Sequence, residues 1–297
     1  MKWNGVIPAI TTPFKPDLSV DHEFLARHAQ WLVSNGCTAI VALGSLGEGA
    51  TLRFEEKLEV LRTCAAALRG KAPLIAGISA LSTNEAERLA GKAAEAGCDG
   101  LMALPPYVYS TDWREMKAHI EAILRATGLS CMLYNNPISY RTDFLPEQVC
   151  ELAVAHSNLD AVKESSADVR RIAAIRALAG QSLSILVGVD DLIVEGIQAG
   201  AVGWIAGLVN ALPHESVALF NLALRGETQK AFALYRWFLP LLRMDTVPKF
   251  VQLIKLVQQE VGMGNARTRP PRLELAGKEL DEALATIRGA LANRPVL

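Results

Sequence analysis

The sequence predicts one (β/α)8 TIM barrel followed by additional helices. Three observations carry that expectation. Short β-branched or aliphatic runs recur eight times, at spacings of roughly 25 to 30 residues, the length of a strand plus its crossover helix. Each run is almost continuously apolar, as strands covered on both faces are. Amphipathic helical stretches fill the gaps. In order, the strands are expected over residues 6–11, 39–43, 73–79, 100–104, 130–135, 160–164, 184–189 and 203–208, and the helices between and after them over 22–34, 54–68, 84–95, 112–126, 146–155, 168–178, 192–199 and 213–224. Asn35-Gly36, Ala96-Gly97 and Ala199-Gly200 put a glycine where a helix end needs positive φ before the next strand. Eight parallel units can close into a barrel, whereas an open doubly wound sheet usually has about five or six strands. The barrel is assigned to residues 1–224. Residues 225–297, with helical stretches at 228–242, 247–261 and 279–292, are expected to form a C-terminal helical extension on its outside, as padding or for self-association.

Composition narrows the function. A chain of 297 residues, 51% hydrophobic and 21% charged, is ordinary for a globular protein and excludes disordered, collagen-like and coiled-coil classes. Thirty basic against 31 acidic residues give a net charge of −1, so neither nucleic acid nor an anionic membrane is expected as a partner. Cys37, Cys64, Cys98, Cys131 and Cys150 are odd in number and contain no CxxC pair, which reads as reduced core thiols rather than a disulfide framework or zinc site. The opening MKWNGVIPAITTPF does not complete a signal-peptide apolar region, so a cytoplasmic location is expected. Residues 196–213 carry no charge but are interrupted by Gln198, Gly200, Gly203, Gly207 and Asn210; they read as a helix end, a buried strand and a loop.

Barrel enzymes place reactive groups at the C-terminal ends of their strands. Here those ends carry Thr11-Thr12-Pro13, Gly44-Ser45-Leu46-Gly47-Glu48-Gly49, Pro105-Pro106-Tyr107, Tyr134-Asn135-Asn136-Pro137, Lys163, Gly188-Val189-Asp190-Asp191 and Gly207-Leu208-Val209-Asn210. Lys163 lies in Ala161-Val162-Lys163-Glu164-Ser165, where a barrel strand has no aqueous face except the mouth. Desolvation there lowers an amine's pKa and frees it to attack a carbonyl or imine. The competing reading is a lysine just past the strand end, reaching solvent. The glycine loop lacks the Walker lysine and the dinucleotide fingerprint, so it is either a carboxylate cradle built from N–H groups and the Ser45 hydroxyl or a tight turn. Glu48 reads as a loop anchor. Tyr134 could shuttle protons beside an amine or simply pack at the mouth. His22, His28, His119, His156 and His214 lack HExxH spacing and read as surface or supporting residues.

Across nearly the whole chain these motifs, in this order and spacing, resemble the dihydrodipicolinate synthase and N-acetylneuraminate lyase family. The resemblance implies that Lys163 forms a Schiff base with a 2-oxo acid or cyclic imino acid, that Tyr134 relays protons, and that Ser45, Leu46 and Gly47 hold the substrate carboxylate. Thr12, Tyr107, Ser165, Gly188 and Asn210 are the further substrate-binding candidates around the mouth, with Tyr140 and Asp190 as neighbours. It also implies a homotetramer with no metal or organic cofactor. Three features depart from the synthase pattern: Leu46 stands for a second threonine, Val108 follows Tyr107 where a second tyrosine is usual, and Ile138-Ser139-Tyr140 displaces an arginine-threonine pair to Arg141-Thr142. The glycine loop through Leu52, with Leu104-Pro105-Pro106-Tyr107 and Tyr134-Asn135-Asn136-Pro137, is similar to the hydroxyproline-catabolic branch, which implies deamination of 1-pyrroline-4-hydroxy-2-carboxylate to 2,5-dioxopentanoate and ammonia. The alternatives are a 2-keto-3-deoxy sugar-acid aldolase or dehydratase, an aromatic hydratase-aldolase, and a non-catalytic carboxylate-binding barrel.

Overall fold

A computed structural model describes residues 1–106, 108 and 112–297 of the chain. Eight parallel strands form one sheet: β1 (Gly5–Pro8), β2 (Ile40–Ala42), β3 (Leu74–Ile78), β4 (Gly100–Ala103), β5 (Ser130–Asn135), β6 (Leu159–Glu164), β7 (Ser184–Val187) and β8 (Gly203–Ala206). Neighbours run in the order β1-β8-β7-β6-β5-β4-β3-β2. The ring closes between its two ends through a parallel bridge of Ala9 with Val41 and the bonds Ile10 N to Val41 O, 2.8 Å, and Thr38 N to Val6 O, 2.9 Å. The expected barrel is therefore present. Several strands stop one to three residues short of their expected ends; the surplus residues turn away at the mouth.

The helices are α1 (His22–Ser34), α2 (Phe54–Leu68), α3 (Thr83–Glu95), α4 (Trp113–Arg125), α5 (Pro137–Tyr140), α6 (Pro146–Ala155), α7 (Arg170–Ala179), α8 (Ile193–Gln198), α9 (Pro213–Leu224), α10 (Thr228–Leu242), α11 (Phe250–Glu260) and α12 (Gly277–Ala292). Apolar periodicity located the long ones. Gly36, Gly97 and Gly200 have φ of +95°, +93° and +108°, the left-handed values expected after α1, α3 and α8. The four-residue α5 was not expected; Pro137 at its first turn and the Asn136 side chain accepting from Ser139 N, 3.0 Å, start it. No helix among the described residues is long and apolar enough to cross a membrane.

The C-terminal segment is more than external padding. Its apolar residues, among them Phe238, Leu241, Val251, Ile254 and Val257, belong to the same continuous core as the barrel strands. Helix α11 buries Gln252, Lys255 and Gln258 as well as its apolar positions, so it meets polar groups of the barrel rim. All five cysteines are unpaired and four are buried. Burial pushes the thiols of Cys37, Cys64, Cys98 and Cys131 up to about 12, which leaves them protonated and unreactive.

Candidate active site

Sheet register builds the centre of the site. On β5 and β6, Tyr134 pairs with Lys163 and Asn135 with Glu164. Side chains alternate along a strand, so paired residues on neighbouring strands share a face. Tyr134 and Lys163 share one face, with the Lys163 Nζ 4.0 Å from the centre of the Tyr134 ring. Asn135 and Glu164 share the other, joined by an Asn135 Nδ2 to Glu164 Oε2 bond of 3.1 Å. Lys163 is only 7% exposed, which rules out the solvent-reaching alternative. Burial lowers its pKa to about 8, against the opposing pull of Asp245 and Asp190. It makes no ion pair among the described residues. The amine is thus poised, not locked.

Gly188 makes room for it. A Cβ built there would lie 2.6 Å from Lys163 Cε and 1.9 Å from Ser165 Oγ. The contribution of Gly188 is the missing side chain, which lets the lysine cross the start of the β7 loop. Ser165 Oγ is buried and lacks a hydrogen bond of good geometry, although it lies close enough to favour ionisation of the Tyr134 phenol. Gly188→Ala is expected to displace the amine and cut both turnover and reductive trapping by on the order of 10²-fold. Trapping at the wild-type rate would show that the lysine takes another path.

Tyr134 is buried, and burial pushes its phenol up to about 12, so it enters any reaction protonated. Asn136 Nδ2 donates to the phenol oxygen at 2.8 Å. Its ring meets Tyr140 edge-on, with centroids 5.8 Å apart. The Tyr140 hydroxyl in turn hydrogen-bonds Ser45 Oγ. The unexpected α5 therefore carries a phenol between the glycine loop and Tyr134. Leu46 itself is buried.

The remaining candidates divide. Among the described residues, the N–H groups of Ser45 and Leu46 have no backbone partner and remain available to an anion. The Thr12 hydroxyl donates to Gly47 O at 2.6 Å and so braces that loop. Glu48 has the anchoring role expected of it: its buried carboxylate takes Lys255 Nζ at 2.5 Å and Arg269 N at 3.1 Å. Asn210 was expected to face substrate, yet its amide is taken up by backbone. Nδ2 donates to Ala9 O at 2.8 Å and Gly207 O at 2.9 Å, and Oδ1 accepts from Thr11 N at 3.2 Å. It clasps β1 to the end of β8. Tyr107 lies outside the described residues. His28 and His119 are buried rather than superficial. His28 bonds Asn210 O through Nε2, 2.8 Å, and burial pushes its pKa down to about 4.

Two acids complete the mouth. Asp190 is fully buried and accepts from Trp204 Nε1 at 2.9 Å, Gly207 N at 3.1 Å and Leu208 N at 2.8 Å. Burial nevertheless raises it to about 6. Asp245, absent from every sequence expectation, arrives from the 3-10 turn Arg243–Asp245 that follows α10. Its Oδ1 would be 2.0 Å from a Cβ at Gly207. Burial and the neighbouring Asp190 raise its pKa well above the usual carboxylate range, with Lys163 opposing. Nothing in the strand pattern points to Asp245, because it lies outside the eight repeating units.

A parallel (β/α)8 barrel with a buried, unpaired lysine and a phenol in register defines a class of enzyme, the lysine-dependent barrel lyases. The chain belongs to the dihydrodipicolinate synthetase family, whose sequence pattern it matches over residues 2–290. It is 32% identical over 289 residues to the 4-hydroxy-tetrahydrodipicolinate synthase of Haloarcula marismortui, covering 96% of this chain and 94% of that one. It is 34% identical over 275 residues to that of Caldicellulosiruptor bescii, covering 92% and 90%. The solved dihydrodipicolinate synthase of Bacillus anthracis superposes with a TM-score of 0.93 at 26% identity over 100% of both chains.

Proposed function

We propose that the protein deaminates 1-pyrroline-4-hydroxy-2-carboxylate to 2,5-dioxopentanoate and ammonia through a Schiff base on Lys163. The observation that carries the Schiff-base part is the buried Lys163 amine, without an ion pair among the described residues and in register with Tyr134. The substrate rests on the resemblance of the glycine loop and strand-end motifs to the hydroxyproline-catabolic branch. In this reading the substrate carboxylate sits on the Ser45 and Leu46 N–H groups. Lys163 Nζ adds to the ring C=N carbon, and the ring C–N bond breaks to leave a free amine at the far end. The iminium acidifies the adjacent CH₂, whose proton passes toward Tyr134 and the Tyr140 and Ser45 hydroxyls. The resulting enamine expels the hydroxyl as water. Tautomerisation gives an aldimine, and hydrolysis releases ammonia and then the 2-oxo product.

A second reading, 4-hydroxy-tetrahydrodipicolinate synthesis, is favoured by the names of the relatives. Against it stands Arg141, exposed at the end of α5 with φ of +58°. One assay separates them: ammonia release from the hydroxypyrroline against condensation of pyruvate with aspartate semialdehyde. Deaminase activity is the expected result; condensation without ammonia overturns it. Tyr134→Phe is expected to lower kcat by about 10²-fold while leaving substrate binding nearly unchanged. An unaltered kcat removes the phenol from the proton path.

A further inference from the structure

Asp245 makes a contact that the steps above leave unused. Its Oδ1 is buried without a hydrogen-bond partner, and buried polar atoms of this kind are uncommon enough in folded proteins to need a reason. It stands over Gly207, at the end of β8, in space that any side chain at 207 would fill. Asp190, beside it, has its carboxylate engaged by the N–H groups of Trp204, Gly207 and Leu208. Those donors stabilise Asp190 as the anion, while Asp245 has none. Two acids at one mouth with such unequal partners divide into a charged and a proton-carrying member. Lys163, Tyr134, Asp190 and Asp191 are the titratable groups whose charge Asp245 feels or influences. Arg243, on the same turn, is directed to Asp191 Oδ2 at 3.5 Å.

Resting on the deaminase reading, we propose that Asp245 is the acid that protonates the departing hydroxyl of the substrate. Hydroxide is a poor leaving group. Once the enamine has formed, its electron pair pushes out the C–O bond at the next carbon. The bond's electrons go to oxygen, the Asp245 proton joins it, and water leaves. The Asp245 carboxylate regains its proton from water, and the proton lost from the amine-bearing carbon as the conjugated iminium rearranges toward the aldimine passes to solvent. That restores the acid, so each turnover returns Asp245 to its starting state with no outside reductant or oxidant.

The test compares Asp245→Asn, which keeps the shape but not the acid, with Asp245→Glu, using two substrates. One is the 4-hydroxypyrroline carboxylate. The other is its 4-fluoro analogue, whose fluoride departs without a proton. Asp245→Asn should lose about 10²-fold in ammonia release from the hydroxy substrate. It should stay within about threefold of wild type on the fluoro substrate, and Asp245→Glu should recover part of the loss. Borohydride trapping of pyruvate on Lys163 should persist in both variants. Equal loss on both substrates, lost pyruvate trapping, or full activity on the hydroxy substrate overturns the role of Asp245 while leaving the deaminase assignment intact. Absence of ammonia from the wild-type protein overturns both.

Discussion

Lys163→Ala is expected to remove turnover by roughly 10³-fold or more and to abolish the borohydride-stable adduct with pyruvate. The size follows from chemistry rather than packing: no other described amine shares the barrel mouth with Tyr134. The fold should survive, because the substitution removes a costly buried amine along with its contacts. Circular dichroism and the elution volume would establish that. The wild-type pH dependence sharpens the expectation. With the amine lowered to about 8, roughly a tenth of it is uncharged at pH 7. Only the deprotonated form attacks. The rate of adduct formation should therefore climb about tenfold per unit as pH rises toward 8 and level off above it. Full turnover by the alanine variant, or an adduct mapped to another lysine, defeats the assignment.

The second large effect concerns stability. Lys255→Met should destabilise the protein by about 3–5 kcal/mol, because it strands a buried carboxylate. Glu48 is 1% exposed, with φ of +53°, and after the substitution would keep only Arg269 N at 3.1 Å and the more distant Arg272 guanidinium at 3.9 Å. Lys255 also donates to Arg267 O at 2.7 Å, so the 265–272 stretch loosens with it. Chemical denaturation of the single variants and of Glu48→Gln with Lys255→Met forms a cycle. The double variant should lose much less than the sum, since each single change leaves the other group unpaired. Additive losses would mean that the pair contributes nothing as a pair. Activity should fall alongside stability, because Glu48 immediately follows the loop whose Ser45 and Leu46 N–H groups are proposed to hold the carboxylate.

The barrel was legible because its eight strands obey one rule of burial repeated at one spacing, and local punctuation such as Asn35-Gly36 agreed with it. Lys163 and Tyr134 were legible as a lysine and a tyrosine at strand ends. Their pairing depends on the register between β5 and β6, which no spacing within either strand specifies. The backbone partners of Asn210 were hidden for a related reason: a polar residue at a strand end can face substrate or clasp the neighbouring backbone, and the sequence does not show that Ala9 and Thr11 lie beside it. The C-terminal contribution left one visible trace. Lys255 interrupts the apolar run Val251-Gln252-Leu253-Ile254-Lys255-Leu256-Val257, and a lysine in such company demands an acid. Its partner is 207 positions away. Asp245 left none, since a single acid in a turn resembles any solvated one.

The link from Glu48 to Lys255 and Arg269 has a consequence for biosynthesis. A ribosome that has completed all eight strands has not yet produced the groups that steady the loop after the second of them. Such a nascent chain, or a product of premature termination near residue 224, leaves the Glu48 carboxylate without Lys255 and Arg269. The bracing of that loop is therefore completed only in the last stretch of translation.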